Sequence, residues 1–369
     1  MRTKRSDKMV EEDGERGRTK VAIWDVAEKA GVSIATVSRV FNDKAYVAPT
    51  TRDKVLSSAR ELGYESLRHP QPAPAEASGL IGLTSIFMNQ VWCTEVIAGI
   101  TEALHAHNAR PVICPITRRH NCGMTFLERV MSGTTEGALL VGLTDTEEEL
   151  VAAYASGFPF VLIEPSRSVN EKLPVVAIAN WAGARGASEH LIALGHSQIG
   201  VVSLQGQGPE GLDYRAGSDR LAGFQAACMA GGLTPHADLV YPGDGTIESG
   251  RQAAHHLLGL SEPPSAIFAF NDAMAIGVMQ GAQEMGISIP RELSVVGFED
   301  SQTAQMVTPE LTTVRLPYSE LGRVAVDMLY RLINGQNLDV TRVELSTRLI
   351  IRESSAALHS VKQRKRSSL

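Results

Sequence analysis

Apolar side chains recur at helical spacing in three short blocks between residues 19 and 64. Ile23, Val26, Ala27 and Ala30 fall at i, i+3, i+4 and i+7, one face of a helix that Gly31 ends. Ser33 follows, a residue whose hydroxyl caps the free N–H groups of a first turn, and the helix it opens turns Val37, Val40 and Phe41 inward. Pro49 opens a third helix, which buries Val55, Leu56, Ala59 and Leu62 and stops at Gly63. Three helices this short, with a glycine turn between the first two, predict a helix-turn-helix module.

The pattern changes at Gly79, where short β-rich apolar runs begin to alternate with helical segments. The runs are GLIGLTS, RPVICPI, GALLVGL, FVLIE and VVAIAN, then IGVVSL, DLVYP, AIFAFN, LSVVGFE and TTVRL. Such alternation predicts parallel sheets covered on both faces. Ten strands exceed the commonest sheet size, so two side-by-side α/β subdomains with a cleft between them are expected. Ligands of open parallel sheets bind beyond the carboxyl ends of the strands, which nominates Ser85, Asn89, Thr117, Glu164, Asn271 and Glu299.

Between the two patterns lies LRHPQPAPAEAS, residues 67–78, with Pro70, Pro72 and Pro74 at alternate positions. Prolines spaced this way remove backbone donors and clash with a preceding helical turn, so the segment reads as an extended spacer near polyproline II.

Charge sharpens this division. The net charge of −6 conceals a front of residues 1–69 with 14 basic against 11 acidic side chains, and a tail, KQRKR, that adds four positive charges. The remainder carries 17 basic against 30 acidic side chains, a net of −13. A basic front on an acidic body suits a nucleic-acid-facing module joined to a solubilising one. No apolar run reaches the length of a membrane span, and the N-terminus has no apolar block behind its basic residues, so a cytoplasmic protein is expected. The four cysteines, Cys93, Cys114, Cys122 and Cys228, show no C-x-x-C spacing and read as reduced structural thiols. No cluster of ligating side chains argues for a metal or a cofactor.

The second helix carries the candidate chemistry of the front. With Val37, Val40 and Phe41 inward, Ile34, Ala35, Ser38 and Arg39 share the outer face. That face is small and apolar apart from one arginine and some hydroxyls, a surface able to enter a major groove closely. Arg39 has the reach to read guanine, Ile34 and Ala35 suit a thymine methyl, and Ser33, Thr36, Ser38 and Thr51 complete the DNA-facing set. A small helical bundle with a solvent-exposed Arg39 fits the same pattern. Two enzyme-like motifs fail on context. GQGPEG, residues 206–211, imitates a dinucleotide fingerprint, but Pro209 interrupts it and no helix opens on it. GHSQIG, residues 195–200, imitates a nucleophile elbow, yet follows a helix and precedes a strand, the reverse order.

DVAEKAGVSIATVSRVFN, followed by TRDKVLSSARELGY, resembles the DNA-binding headpiece of the LacI/GalR family of bacterial transcription regulators. HLIALGHSQIGVV, SDRLAGFQAA, the long run from AIFAFNDAMAIG to LTTVRLP, and LSTRLIIRES resemble that family's regulatory domain, so the resemblance spans residues 20–355. It implies a helix-turn-helix headpiece plus a two-subdomain, periplasmic-binding-protein-like domain that binds a small effector and forms a homodimer, or a tetramer of two dimers. It also implies base-reading positions at Ile34, Ala35 and Arg39. Effector contacts are implied from the loop Asn89 to Trp92, and from Glu164, Arg220, Asn271, Asp272 and Glu299. Carboxylates and amides that share paired hydroxyls favour a sugar-like effector. The chain departs from the family pattern at Ala179-Asn180, at the loop QVWC and at Glu299-Asp300, and the longer Glu164 and Glu299 imply a smaller cleft or ligand.

The expected division is a tail at 1–18, the helix-turn-helix domain at 19–64, the proline-rich linker at 65–78, the effector and dimerisation domain at 79–355, and a basic tail at 356–369. The partners are a double-stranded DNA operator and the effector, with no membrane. The competing reading is a sugar-binding or sugar-processing α/β protein with a vestigial headpiece. In the family, the segment after the headpiece forms a short hinge helix on DNA. Here Glu65-Ser66 and His69-Pro70 stand at its motif positions and Pro72 at its wedge leucine, while Leu67 is a rival wedge. Coupling between effector and operator is therefore expected through the spacing of two headpieces rather than through a folding hinge. Replacing Pro70, Pro72 and Pro74 by Ala is expected to leave operator affinity in a gel-shift titration nearly unchanged, and a large change in the effector response would overturn the spacer reading.

Overall fold

The structure, a computed structural model, describes residues 23–34, 36–37, 40, 47–62, 78–85, 90–113, 135–142, 146–204 and 215–358. The proline run and both chain ends lie outside the described residues, as do Cys114 and Cys122. The chain divides into two compact units, residues 1–73 and 74–369.

In the smaller unit, α1 (Ile23–Ala30) and α2 (Pro49–Leu62) flank a helical stretch to which Ile34, Thr36, Val37 and Val40 belong. Val26, Ala27, Ala30, Val37, Val40, Val55 and Ala59 form one buried cluster, with Leu56 and Leu62 packed at its edge. Helical spacing thus placed these side chains as expected; Phe41 lies outside the described residues. Gly31 takes φ 62°, the left-handed conformation that lets α1 stop and the chain turn. The Thr36 amide then donates to Ser33 Oγ at 3.2 Å, the cap that starts the next helix.

The larger unit holds two parallel sheets. The first contains β1 (Leu80–Ser85), β2 (Arg110–Ile113), β3 (Gly137–Val141), β4 (Phe160–Ile163), β5 (Val175–Ile178) and β11 (Arg342–Leu345), in the order β11-β5-β4-β3-β1-β2. Its helices include α3 (Val91–Ala106), α4 (Glu147–Ala155) and α9 (Tyr318–Ile333). The second contains β6 (Ile199–Leu204), β7 (Val240–Gly243), β8 (Ala266–Ala269) and β9 (Ser294–Val296), in the order β7-β6-β8-β9. Around it lie α5 (Asn180–Ala193), α6 (Arg215–Ala230), α7 (Ile247–Leu258) and α8 (Asp272–Glu284). A two-stranded antiparallel pair, β10 (Thr313–Arg315) with β12 (Arg348–Ile350), completes the fold.

Each of the ten apolar runs contains one of the strands β1 to β10. β3, β4, β8 and β9 are buried along their whole length, which is why they read as unbroken apolar runs. Strands β11 and β12, absent from the predicted set, contain Arg342, Glu344 and Arg348 and lie only partly buried, so no apolar run marks them. The chain crosses between the lobes after β5, between β10 and α9, and between β11 and β12.

Paired helices approach through glycine. A Cβ on Gly99 of α3 would lie 1.9 Å from the Ser319 carbonyl of α9, and one on Gly277 of α8 would lie 2.0 Å from the Ile247 carbonyl of α7. Gly277→Ala is therefore expected to force α7 and α8 apart and to cost about 1–3 kcal/mol, read as a lowered thermal midpoint. Gly186→Ala on α5, where nothing lies within 4 Å of the added carbon, is expected to be neutral or to stabilise by up to about 1 kcal/mol.

Candidate functional site

The outer surface of the small unit begins at Ser33, whose hydroxyl both caps the helix and lies 2.9 Å from Thr36 Oγ1. Ile34 is 38% exposed, and Thr36 and Thr51 are half-buried. Ala35, Ser38 and Arg39 lie outside the described residues.

In the larger unit, the carboxyl ends of the strands surround a cavity of about 90 Å³. Trp92, Glu164, Ser166, Arg220, Glu299 and Tyr318 line it, with Arg215 beside them. Four residues nominated from the sequence, Trp92, Glu164, Arg220 and Glu299, are thus brought together. Tyr318, Ser166 and Arg215 were not among those nominated. Tyr318 opens α9 immediately after Pro317, where no periodicity signals a site.

Glu164 directly follows β4 and takes φ 46°, a left-handed conformation unusual for a residue with a side chain. Its carboxylate accepts the Ile178 amide and, at 3.4 Å, the Asn180 side chain. Asn180 Oδ1 in turn accepts Arg220 Nε at 2.9 Å. Arg220 Nη1 donates to the Phe270 carbonyl, and its guanidinium lies 4.1 Å from the centre of the Phe298 ring. The arginine is 5% exposed. Its position therefore depends on fixed acceptors and an aromatic face of its own lobe, an arrangement that lowers the cost of burying its charge, and Asn180 links it to Glu164 of the other lobe.

Glu299 lies beyond β9 with φ 128°, and Asp300 follows with φ 56°. Three contacts hold this strained pair: the Glu299 amide donates to Val314 O at 2.8 Å, Arg315 Nε donates to Asp300 at 2.6 Å, and Arg352 pairs with the other Asp300 oxygen. The Glu299 carboxyl accepts no hydrogen bond from a described residue. Burial raises its pKa from 4.5 to about 8; Arg220 opposes the shift, while Asp272 and Glu95 reinforce it. Burial also raises Glu164, against the Ile178 amide, Arg220 and Asn180. The Tyr318 phenol is raised by burial and by Glu299, and its ring stacks on Trp92 with centroids 5.8 Å apart. Ser166 Oγ is buried with no hydrogen-bond partner among the described residues.

Asn271 and Asp272 take other positions. Asn271 caps α8, accepting the Met274 amide at 2.8 Å, and donates to the Gly245 carbonyl at 2.9 Å. Asp272 is 1% exposed and accepts from the Ser301 amide, the Ser301 hydroxyl and Thr313 Oγ1. Neither lines the cavity, because a helix start at a strand end uses the same residue types to satisfy its own backbone. Ser85 is buried and accepts from Cys93 Sγ at 3.4 Å; Asn89 and Thr117 lie outside the described residues. Cys93 and Cys228 are free and buried. Among the described residues, no group of three or more His, Cys, Asp or Glu is placed to hold a metal, and no helix is long and apolar enough to cross a membrane.

Comparison with known proteins places both parts of the chain. Residues 22–66 match the model of bacterial regulatory proteins of the lacI family, and residues 188–355 match a periplasmic binding protein-like domain. Catabolite control protein A of Priestia megaterium is 30% identical over 335 residues, 91% of this chain and 99% of that protein. The structure of a transcriptional regulator, CelR, in complex with cellobiose superposes with a TM-score of 0.67 at 30% identity, covering 91% of this chain and 100% of that one. The lac repressor dimer bound to operator and the anti-inducer ONPF also gives 0.67, at 28% identity over 92% of this chain and 100% of that one.

The cavity makes two predictions. Arg220→Ala leaves two buried carboxyls without their shared cation and is expected to cost roughly 3–5 kcal/mol in denaturant unfolding. Glu299 holds its proton in the folded chain while an unfolded glutamate releases it near 4.5, so unliganded stability falls as pH rises from about 4.5 to about 8 and then levels. Glu299→Gln should remove this slope, gaining on the unmodified protein across that window in thermal melts.

Proposed function

The chain belongs to the LacI family of bacterial regulatory proteins, and from that membership we propose how its two parts work together. It is a sequence-specific DNA-binding transcription regulator, a repressor, that acts as a homodimer and whose operator affinity is controlled by a small effector. The observation that carries this reading is the convergence of Glu164, Arg220 and Glu299, from both lobes, on one cavity beside the stacked Trp92 and Tyr318. A ligand that bridges those lobes binds one relative arrangement of them better than another, and that difference in affinity is what shifts the regulator between states.

Residues 19–64 bind DNA, 65–78 link, and 79–355 bind the effector and dimerise. Ser33, Ile34, Ala35, Thr36, Ser38, Arg39 and Thr51 face the operator, with Arg39 reading a base and the hydroxyls holding phosphates. Asn89, Asn271 and Asp272 complete the effector-contacting set of this reading. Two headpieces on a two-fold dimer fit a near-palindromic operator. The protein works in the cytoplasm, carries out no catalysis of its own and takes an effector of sugar-like character.

Genome-wide footprinting of the intact protein, with and without extracted metabolites, tests this. A short two-fold symmetric motif whose occupancy responds to metabolites is expected; no motif above non-specific background overturns it. In filter binding, six to ten phosphate contacts should weaken affinity by roughly 10³–10⁵ between 50 and 200 mM salt. Arg39→Ala should cost about 1–3 kcal/mol and relax selectivity at one base pair.

A further inference from the structure

We propose that the effector is a cation, an amino-bearing polyol whose ammonium group seats against Glu299 beside the Trp92 and Tyr318 rings. The proposal rests on the reading of the cleft as the effector site and adds the charge of what enters it.

Hydrogen-bond accounting identifies what the cavity lacks. Glu164 accepts from the Ile178 amide and Asn180, and Arg220 gives two of its five N–H groups to Asn180 and the Phe270 carbonyl. Arg215 pairs with Asp219 at 3.4 Å. Glu299 has no such donor among the described residues, and Ser166 Oγ is buried without a partner. Among the described residues, a ligand therefore meets one carboxyl and one hydroxyl without partners, beside the remaining N–H groups of Arg220.

Charge decides between donors. The groups acting on Glu299 are Arg220 from α6, Asp272 from α8 and Glu95 from α3, and the Tyr318 hydroxyl from α9 responds to Glu299 in turn. Arg220 acts on both Glu299 and Glu164, Arg342 acts on Glu164 alone, and Asp272 and Glu95 oppose charge on Glu299. Glu299 in this setting holds its proton until a cation replaces it. Aromatic faces beside a carboxylate also suit an ammonium group.

Binding then releases a proton: the protonated Glu299 carboxyl and an ammonium give a carboxylate–ammonium pair plus a free proton. Near pH 7, where the amine is still charged, this release is substantial because Glu299 titrates at about 8.

Calorimetry and thermal melts of the intact protein with matched pairs, glucosamine against glucose and galactosamine against galactose, together with glucose 6-phosphate, test the assignment. One amine is expected to bind about tenfold or more tightly than its neutral partner. It should release protons at pH 7, seen as a dependence on buffer ionisation heat, and lose its preference in Glu299→Gln. Retained melting and operator binding show that this variant is folded. Ser166→Ala should weaken both members of a pair alike and leave the preference intact. Equal or tighter binding of the neutral or phosphorylated sugar, a preference surviving Glu299→Gln, or no binding by either amine overturns the proposal. The regulator reading fails separately, if no metabolite fraction alters operator binding; a responsive fraction without basic nitrogen sinks only the charge assignment.

Discussion

Arg220 is the contact on which the larger unit turns. A guanidinium buried to this degree needs partners, and here an amide side chain, a backbone carbonyl and an aromatic face supply them. Those partners come from different places: Asn180 begins the helix after the first crossover, while Phe270 and Phe298 lie at the ends of second-lobe strands. Orienting the arginine therefore also orients the lobes' facing edges. Asn180 passes the constraint to Glu164, so a first-lobe carboxylate is positioned by a second-lobe cation.

The strained backbone around the cavity belongs to the same design. Glu164, Glu299 and Asp300 all take positive φ, and each is held by contacts that a relaxed chain would not need. The cost is local, and it aims two carboxyl-bearing side chains into a space where neither would otherwise point. Arg352, 9% exposed and near the C-terminal end of the described chain, anchors Asp300, so a late segment of sequence supports a site built mainly by earlier ones.

The strands were legible because full burial leaves their residues almost no chemical freedom, and the small helical core because its apolar positions keep a strict period. Glu164 and Glu299 stood out as carboxylates at strand ends. Trp92 and Arg220 came from resemblance, since nothing in the spacing of either predicts a cavity. Asn271 and Asp272 carry a signal with two meanings, ligand contact and helix start, and in the structure they satisfy backbone and hydroxyl groups around α8. Ser166 and Tyr318 had no signal at all: a serine after Pro165 reaches the cavity from the connection between β4 and β5, and a tyrosine after Pro317 reaches it from the crossing between β10 and α9. Strands β11 and β12 escaped notice because edge position lets them carry charge.

Strand β11 has a consequence for how the chain is made. Its pairing with β5 closes the first sheet, yet the two are separated by about 160 residues of sequence. On a ribosome, β1 to β5 emerge first and must wait with the β5 edge unpaired, while β6 to β9, contiguous in sequence, already have their whole sheet. The second lobe can therefore mature before the first, in reverse of the order of translation. Until α9 and β11 arrive, the nascent first lobe presents an open strand edge and an uncovered α3, the surfaces that cellular chaperones recognise.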